Sequence, residues 1–93
     1  AEGATMLSFA SDKPEYNIGE KANLVIPGSE GGRALISIEN GSRVLQTYWL
    51  ETKKGDNQFA FEITKEMTPN VFVHTTLLQP HSQTVNDLPI RLY

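Results

Sequence analysis

There is no cysteine in these 93 residues. Disulfide bridges, thiolate metal ligands and a cysteine nucleophile are therefore excluded. Basic residues are scarce as well: eight Lys and Arg stand against eleven Asp and Glu, a net charge of −3. A nucleic-acid footprint needs a basic stripe, and this composition does not supply one. No apolar run approaches the roughly 18 residues of a membrane span. The opening Ala1-Glu2-Gly3-Ala4 is small and acidic rather than basic and then apolar, so it does not read as a signal peptide. For an exported protein the targeting segment would lie outside this sequence. Helical periodicity of useful length is missing too; Lys65-Glu66-Met67 has room for a single turn.

What is present is alternation. Ninety-three residues suit one domain, with a real but modest core, because a chain this short buries only about two-thirds of its unfolded surface. The organising stretch is 67–78. Pro69-Asn70 signals a turn, and Val71-Phe72-Val73-His74-Thr75-Thr76-Leu77-Leu78 is β-branched, aromatic or apolar on both parities. A run of that kind predicts a strand in the middle of a sheet.

Other strands are predicted over 5–10, 21–27, 33–39, 43–51, 58–64 and 88–93. Between them, 11–20 reads as an irregular crossover, since Pro14 restricts its neighbours and Gly19 accepts positive φ. Tyr16 is expected to anchor it, ring packed on the sheet end and hydroxyl bonded to backbone. Gly28-Ser29-Glu30-Gly31-Gly32 reads as the most flexible loop. Asn40-Gly41 is the strongest hairpin signal, with both residues suited to the positive φ of a type I′ turn. A polar connection is expected over 79–87, and Pro89 suggests an edge or a strand start. Seven short strands with frequent turn signals predict an all-β, seven-stranded antiparallel sandwich.

Candidate chemistry is thin. His74 and His81 could share a metal with Asp87, but a structural role fits better, because metal sites need three or four convergent ligands. No Gly-x-Ser-x-Gly elbow is present, and the glycine-rich 28–32 lacks the Lys-Ser/Thr of a phosphate loop. Glu39, Glu51, Glu62 and Glu66 read as a solvated sheet exterior rather than a glycosidase pair. Asn40-Gly41-Ser42 matches a glycosylation sequon, yet the hairpin explains it fully. No catalytic residue, metal ligand or cofactor is expected.

Aromatics are more informative. Tyr48 and Trp49 are adjacent and must point to opposite faces. The parity of Val44 and Leu50 favours Tyr48 inward and Trp49 outward. If Val71, Val73 and Leu77 face inward, Phe72 and Leu78 lie on the outer face of the central strand. A sheet that is apolar on its outer face is often covered by something.

Three segments resemble a known family. Asp12-Lys13-Pro14-Glu15-Tyr16-Asn17-Ile18-Gly19-Glu20 is similar to the Asp-Lys-x-x-Tyr-x-x-Gly-Glu signature that opens many macroglobulin domains. Gly32-Arg33-Ala34-Leu35-Ile36-Ser37-Ile38-Glu39 with Val44-Leu45 resembles the strand pair that follows it. Met67-Thr68-Pro69-Asn70-Val71-Phe72-Val73, running on to Asn86-Asp87-Leu88-Pro89-Ile90-Arg91-Leu92-Tyr93, resembles the closing half of an internal macroglobulin domain of bacterial α2-macroglobulins.

The resemblance implies a fibronectin type III or immunoglobulin-like sandwich over residues 1–93, cut from a larger multidomain parent. It implies a structural, non-catalytic part of a protease-trapping endopeptidase inhibitor in the periplasm or cell envelope, the parent a possible lipoprotein. Partners would be neighbouring macroglobulin domains and, through the parent, target proteases. The family's thioester motif needs cysteine, so this chain cannot carry it, and no long insertion stands out as bait. Contact residues toward a neighbour are expected at Trp49, Phe72, Leu78 and Tyr93. Turn anchors are expected at Tyr16, Gly19, Asn40, Gly41, Pro69 and Asn70. The competing expectation is a standalone adhesion or carbohydrate-binding module that stacks a sugar on Trp49 or Phe72. An enzyme domain is a third and weaker alternative.

Overall fold

In the computed structural model, residues 10–41, 43–80 and 82–92 are described. The strands are β1 (Ala10–Ser11), β2 (Glu15–Tyr16), β3 (Lys21–Gly28), β4 (Gly32–Asn40), β5 (Arg43–Thr52), β6 (Gly55–Glu62), β7 (Asn70–Gln79) and β8 (Ser82–Leu92). One 3₁₀ turn, Lys65–Met67, precedes β7 and buries Met67. Two sheets form, β1-β3-β6 and β2-β8-β7-β4-β5. They close on a common core, making the all-β sandwich that the alternation predicts.

The core follows side-chain parity. Ala22, Leu24 and Ile26 on β3 meet Ala34, Ile36 and Ile38 on β4 and Val71, Val73 and Leu77 on β7. Ile90 and Leu92 on β8, with Phe61, Ile63 and Met67, complete it. Each Val, Leu, Ile, Phe and Met among them contributes about 1.5–3 kcal/mol on burial, and the alanines less, before the entropy of ordering is set against it. β7 lies in the middle of the five-stranded sheet, between β8 and β4, as its two-sided sequence predicts.

The structure departs from the sequence reading in five places. The crossover holds a two-residue strand: β2 pairs with β8 in parallel, Glu15 opposite Arg91 and Tyr16 opposite Leu92. The five-stranded sheet is therefore mixed rather than purely antiparallel, because Tyr16 must reach the end of the sheet to bury its ring. The predicted polar connection is not a loop. Gln79 already pairs with Ser82, and β8 runs from there to Leu92. Pro89 consequently sits within β8 opposite Phe72; β2 covers that side of β8 only at Arg91 and Leu92, so the missing amide proton leaves no ladder bond unmade.

β5 contains a bulge. Ile38 faces Gln46 and Glu39 faces Val44, so Leu45 opposes no residue. The bulge shifts parity: Leu45, Tyr48 and Leu50 pack on the core, whereas Val44 is exposed. Tyr48 is inward as expected, but Val44 does not share its face. At the β4–β5 turn, Asn40 pairs with Arg43, and the only positive φ at this turn among the described residues is that of Gly41, at 63°. Asn40 ends the strand rather than entering a type I′ turn; its side chain donates to the Glu66 carbonyl instead.

The stretch 28–32 is tight rather than flexible. Thr52 Oγ1 donates to the Ser29 carbonyl at 2.7 Å, and the Ser29 hydroxyl donates to Gln79. Gly32 is buried against them: a Cβ there would lie 2.6 Å from Thr52 Oγ1 and 3.0 Å from the Leu78 carbonyl. The glycine is required by close approach. The strand predicted over 5–10 lies outside the described residues except for Ala10.

Candidate functional site: the outer face of the five-stranded sheet

Register fixes what the outer face displays. Cross-strand partners line up in rows over β8, β7, β4 and β5. One row is Val85, Thr76, Leu35 and Trp49. The next is Asp87, His74, Ser37 and Thr47. A third is Pro89, Phe72, Glu39 and Val44. Beyond the first row lie Gln83, Leu78, Arg33 and Glu51.

Of six large hydrophobic side chains exposed among the described residues, Val44, Trp49, Phe72 and Val85 stand on this one face. Their exposure runs from 40% at Phe72 to 58% at Trp49. Half-buried Leu35 and Leu78 stand among them. Scattered surface apolar residues are ordinary, but a grouped set marks a contact surface. A shallow hollow beside Phe72 is lined by Pro14, Glu15, Asn70, Pro89 and Arg91. Arg91 and Glu15 sit 4.0 Å apart at its rim.

Polar groups between the apolar rows are paired within the face. The His74 ring nitrogen Nδ1 contacts the Asp87 carboxylate directly across the strands. The Ser37 hydroxyl donates to Glu39 at 2.9 Å, which holds it away from His74 although the two are cross-strand partners. Asp87, His74 and Ser37 thus share a row without forming a nucleophile relay. His81 lies outside the described residues. Among the described residues, no three His, Cys, Asp or Glu side chains are grouped so as to hold a metal ion. The Arg33 guanidinium sits over Trp49, 5.0 Å from the ring centroid. A sugar stacking on that side of the indole would have to displace a cation.

Trp49, Phe72 and Leu78 fall on the outer face as the sequence predicts, and Tyr93 lies outside the described residues. Val44, Val85, Leu35 and Pro89 join them. Sequence alone could not find Val85, which sits in the stretch that reads as polar connection, or Val44, whose parity the bulge reverses.

The turn anchors form a second, separate constellation in the crossover. Tyr16 is fully buried. Its hydroxyl donates to the Asp12 carboxylate and accepts from the Lys13 amide at 3.2 Å. Asp12 also accepts from the backbone and side chain of Asn23, at 3.3 and 3.2 Å. Glu20 accepts from Lys13 Nζ and from the Asn17 amide, each at 2.7 Å. Gly19, at φ 94°, donates its amide to the Ile63 carbonyl at 2.8 Å. The Tyr16 hydrogen bond holds the Asp12 carboxyl below its ordinary value, and Lys13 does the same for Glu20. Burial, then the bond to Asp12, raises Tyr16. Every fixed position of the Asp-Lys-x-x-Tyr-x-x-Gly-Glu pattern thus has a local mechanical reason.

At the other end, Thr68-Pro69 is a cis peptide, the Pro69 carbonyl accepts from the Leu92 amide at 3.1 Å, and Asn70 starts β7 opposite Arg91.

Fold and site together define a β-sandwich domain with exposed apolar side chains grouped on one sheet face. The family model for the alpha-2-macroglobulin bait region domain matches residues 7–92, and the chain belongs to that family. The match names the bait region domain where the sequence resemblance pointed to an internal macroglobulin domain. No curated protein matches the chain. No helix among the described residues is long and apolar enough to cross a membrane.

Proposed function

We propose that this chain is a structural, non-catalytic domain of a larger alpha-2-macroglobulin-type protease trap, and that it works by packing its five-stranded sheet against a neighbouring domain. The observation that carries this is the grouping of Val44, Trp49, Phe72 and Val85 on one sheet face. The family match supports the alpha-2-macroglobulin part. In this reading Trp49, Phe72, Leu78 and Tyr93 are contact residues, and the parent sits in a bacterial periplasm or envelope. Cleavage of the parent by an attacking protease rearranges the domain stack, and this face reports the rearrangement.

The test is amide hydrogen exchange on the parent protein before and after limited proteolysis, with the separate chain as reference. Residues 70–78 and 46–50 should exchange more slowly in the parent than in the separate chain, and should change again after cleavage. Equal exchange in parent and separate chain would remove the packing role.

A further inference from the structure

We propose that the open edge of β5 is a second binding site, for an extended peptide segment with apolar side chains at alternate positions and acidic residues at its N-terminal end. The site is distinct from the outer face and does not depend on what packs there.

β5 ends the five-stranded sheet, and among the described residues no strand lies beyond it. Every second backbone N–H and C=O along it therefore points away from the sheet. Edges are commonly protected by proline, inward charge, shortness or a bulge. β8 carries Pro89 and is clasped by β2. The 46–52 part of β5 has none of these devices. It reads Gln46-Thr47-Tyr48-Trp49-Leu50-Glu51-Thr52, rich in residues that favour strands.

The flank of this edge is incompletely covered. Tyr48 and Leu50 on β5 and Phe59 on β6 are half-buried where the two sheets part. Tyr48 and Phe59 touch with ring centroids 5.0 Å apart. A strand added to β5 would lay its inward side chains over this apolar strip and its backbone on the free donors and acceptors, the geometry of strand addition.

Charge sets direction and chemistry. A partner antiparallel to β5 begins beside Thr52, where Lys53 and Lys54 are both exposed. Their turn is fixed by buried Asn57, whose amide donates to the Lys53 and Gly55 carbonyls and whose oxygen accepts from the Lys53 amide. Glu51 and Asp56 stand beside Lys53 in one hollow, and the two exposed lysines of the turn are the groups that an acidic N-terminal segment would meet. A second copy of β5 is a poor occupant. The Leu45 bulge reverses parity, so self-pairing with like faces together is confined to 46–52 and leaves Arg43 to Leu45 unmatched, whereas a separate peptide is free of that limit.

The probe is a nine-residue peptide of two aspartates followed by alternating valine and threonine, titrated into the isotope-labelled chain. Outward amides within 46–52 should exchange about tenfold more slowly when the peptide is saturating. The double variant Lys53→Glu, Lys54→Glu should weaken binding by at least about fivefold with an unchanged unfolding midpoint, since both side chains are exposed. A peptide with its aspartates moved to the C-terminal end should bind correspondingly less well. No saturable binding, protection on β8 or β6 instead of β5, or peptide-free protection that grows with chain concentration would each overturn the proposal.

Discussion

Asp12 accepts a hydrogen bond from the hydroxyl of Tyr16 four residues along, at the point where the chain crosses from one sheet to the other. The bond couples an exposed carboxylate to a fully buried ring. It gives the crossover a pH signature.

The Asp12 carboxyl is held below its ordinary value of 3.8, first by Tyr16. A depressed folded value means that its stabilisation is complete above the unfolded value and is lost as pH falls through the folded one. Denaturant midpoints should therefore show a difference between the native chain and Asp12→Asn that is constant at neutral pH and shrinks in acid below 3.8. Tyr16, raised from 10.0, adds the opposite limb. Its contribution holds below pH 10.0 and fades as alkali passes the raised value. Tyr16→Phe should remove that limb and lower stability by about 1 kcal/mol. An acid profile for Asp12→Asn parallel to the native one would contradict the assignment.

Thr75 is fully buried on the central strand, and its hydroxyl has no hydrogen-bond partner among the described residues. A buried hydroxyl without a partner is costly, and valine has nearly the same shape. Thr75→Val should stabilise the chain by about 1 kcal/mol in chemical unfolding. Destabilisation would mean that the hydroxyl is satisfied.

Gly32 has no space for a side chain between Thr52 and the Leu78 carbonyl. Gly32→Ala should cost about 1–3 kcal/mol through displaced backbone. The double variant Gly32→Ala, Thr52→Ser should recover part of this, since it deletes the Thr52 methyl group and lets the hydroxyl reorient. Equal midpoints for native and Gly32→Ala would show that the turn yields freely.

Arg33 over Trp49 is an exposed cation–ring contact, worth about 0.5–1 kcal/mol. Arg33→Gln should lower the unfolding free energy by about that much and change the tryptophan emission maximum. Trp49→Ala combined with Phe72→Ala should cost the separate chain no more than about 1 kcal/mol, because both side chains are exposed. In the parent the same pair should raise exchange across the sheet face. A large loss in the separate chain would make these residues core rather than contact.

Much of the fold was legible from period-two patterning. β3 and β4 carry apolar residues mainly on one parity and β7 on both, in runs bounded by turn residues, and their partners follow. The first half of β8 was not legible, because Thr84 and Asn86 stand where apolar inward residues would announce a strand. Only pairing with β7 defines it. The bulge at Leu45 was equally silent, since one unpaired residue leaves composition untouched. Trp49, Phe72 and Leu78 could be assigned to an outer face one strand at a time. That Val44 and Val85 share it depends on register, which no single stretch of sequence encodes.

The outer face is striped, apolar rows alternating with a polar one, and that has a consequence for assembly. Its two apolar rows, through Trp49 and through Phe72, are separated by the polar row of His74 and Asp87. Four residues along a strand make this pitch about 14 Å. A neighbour shifted by half that pitch would press carbon onto a hydrogen-bonded polar pair and leave both apolar rows wet. Docking on such a striped face favours particular registers, so an adjoining body would settle at discrete offsets instead of drifting.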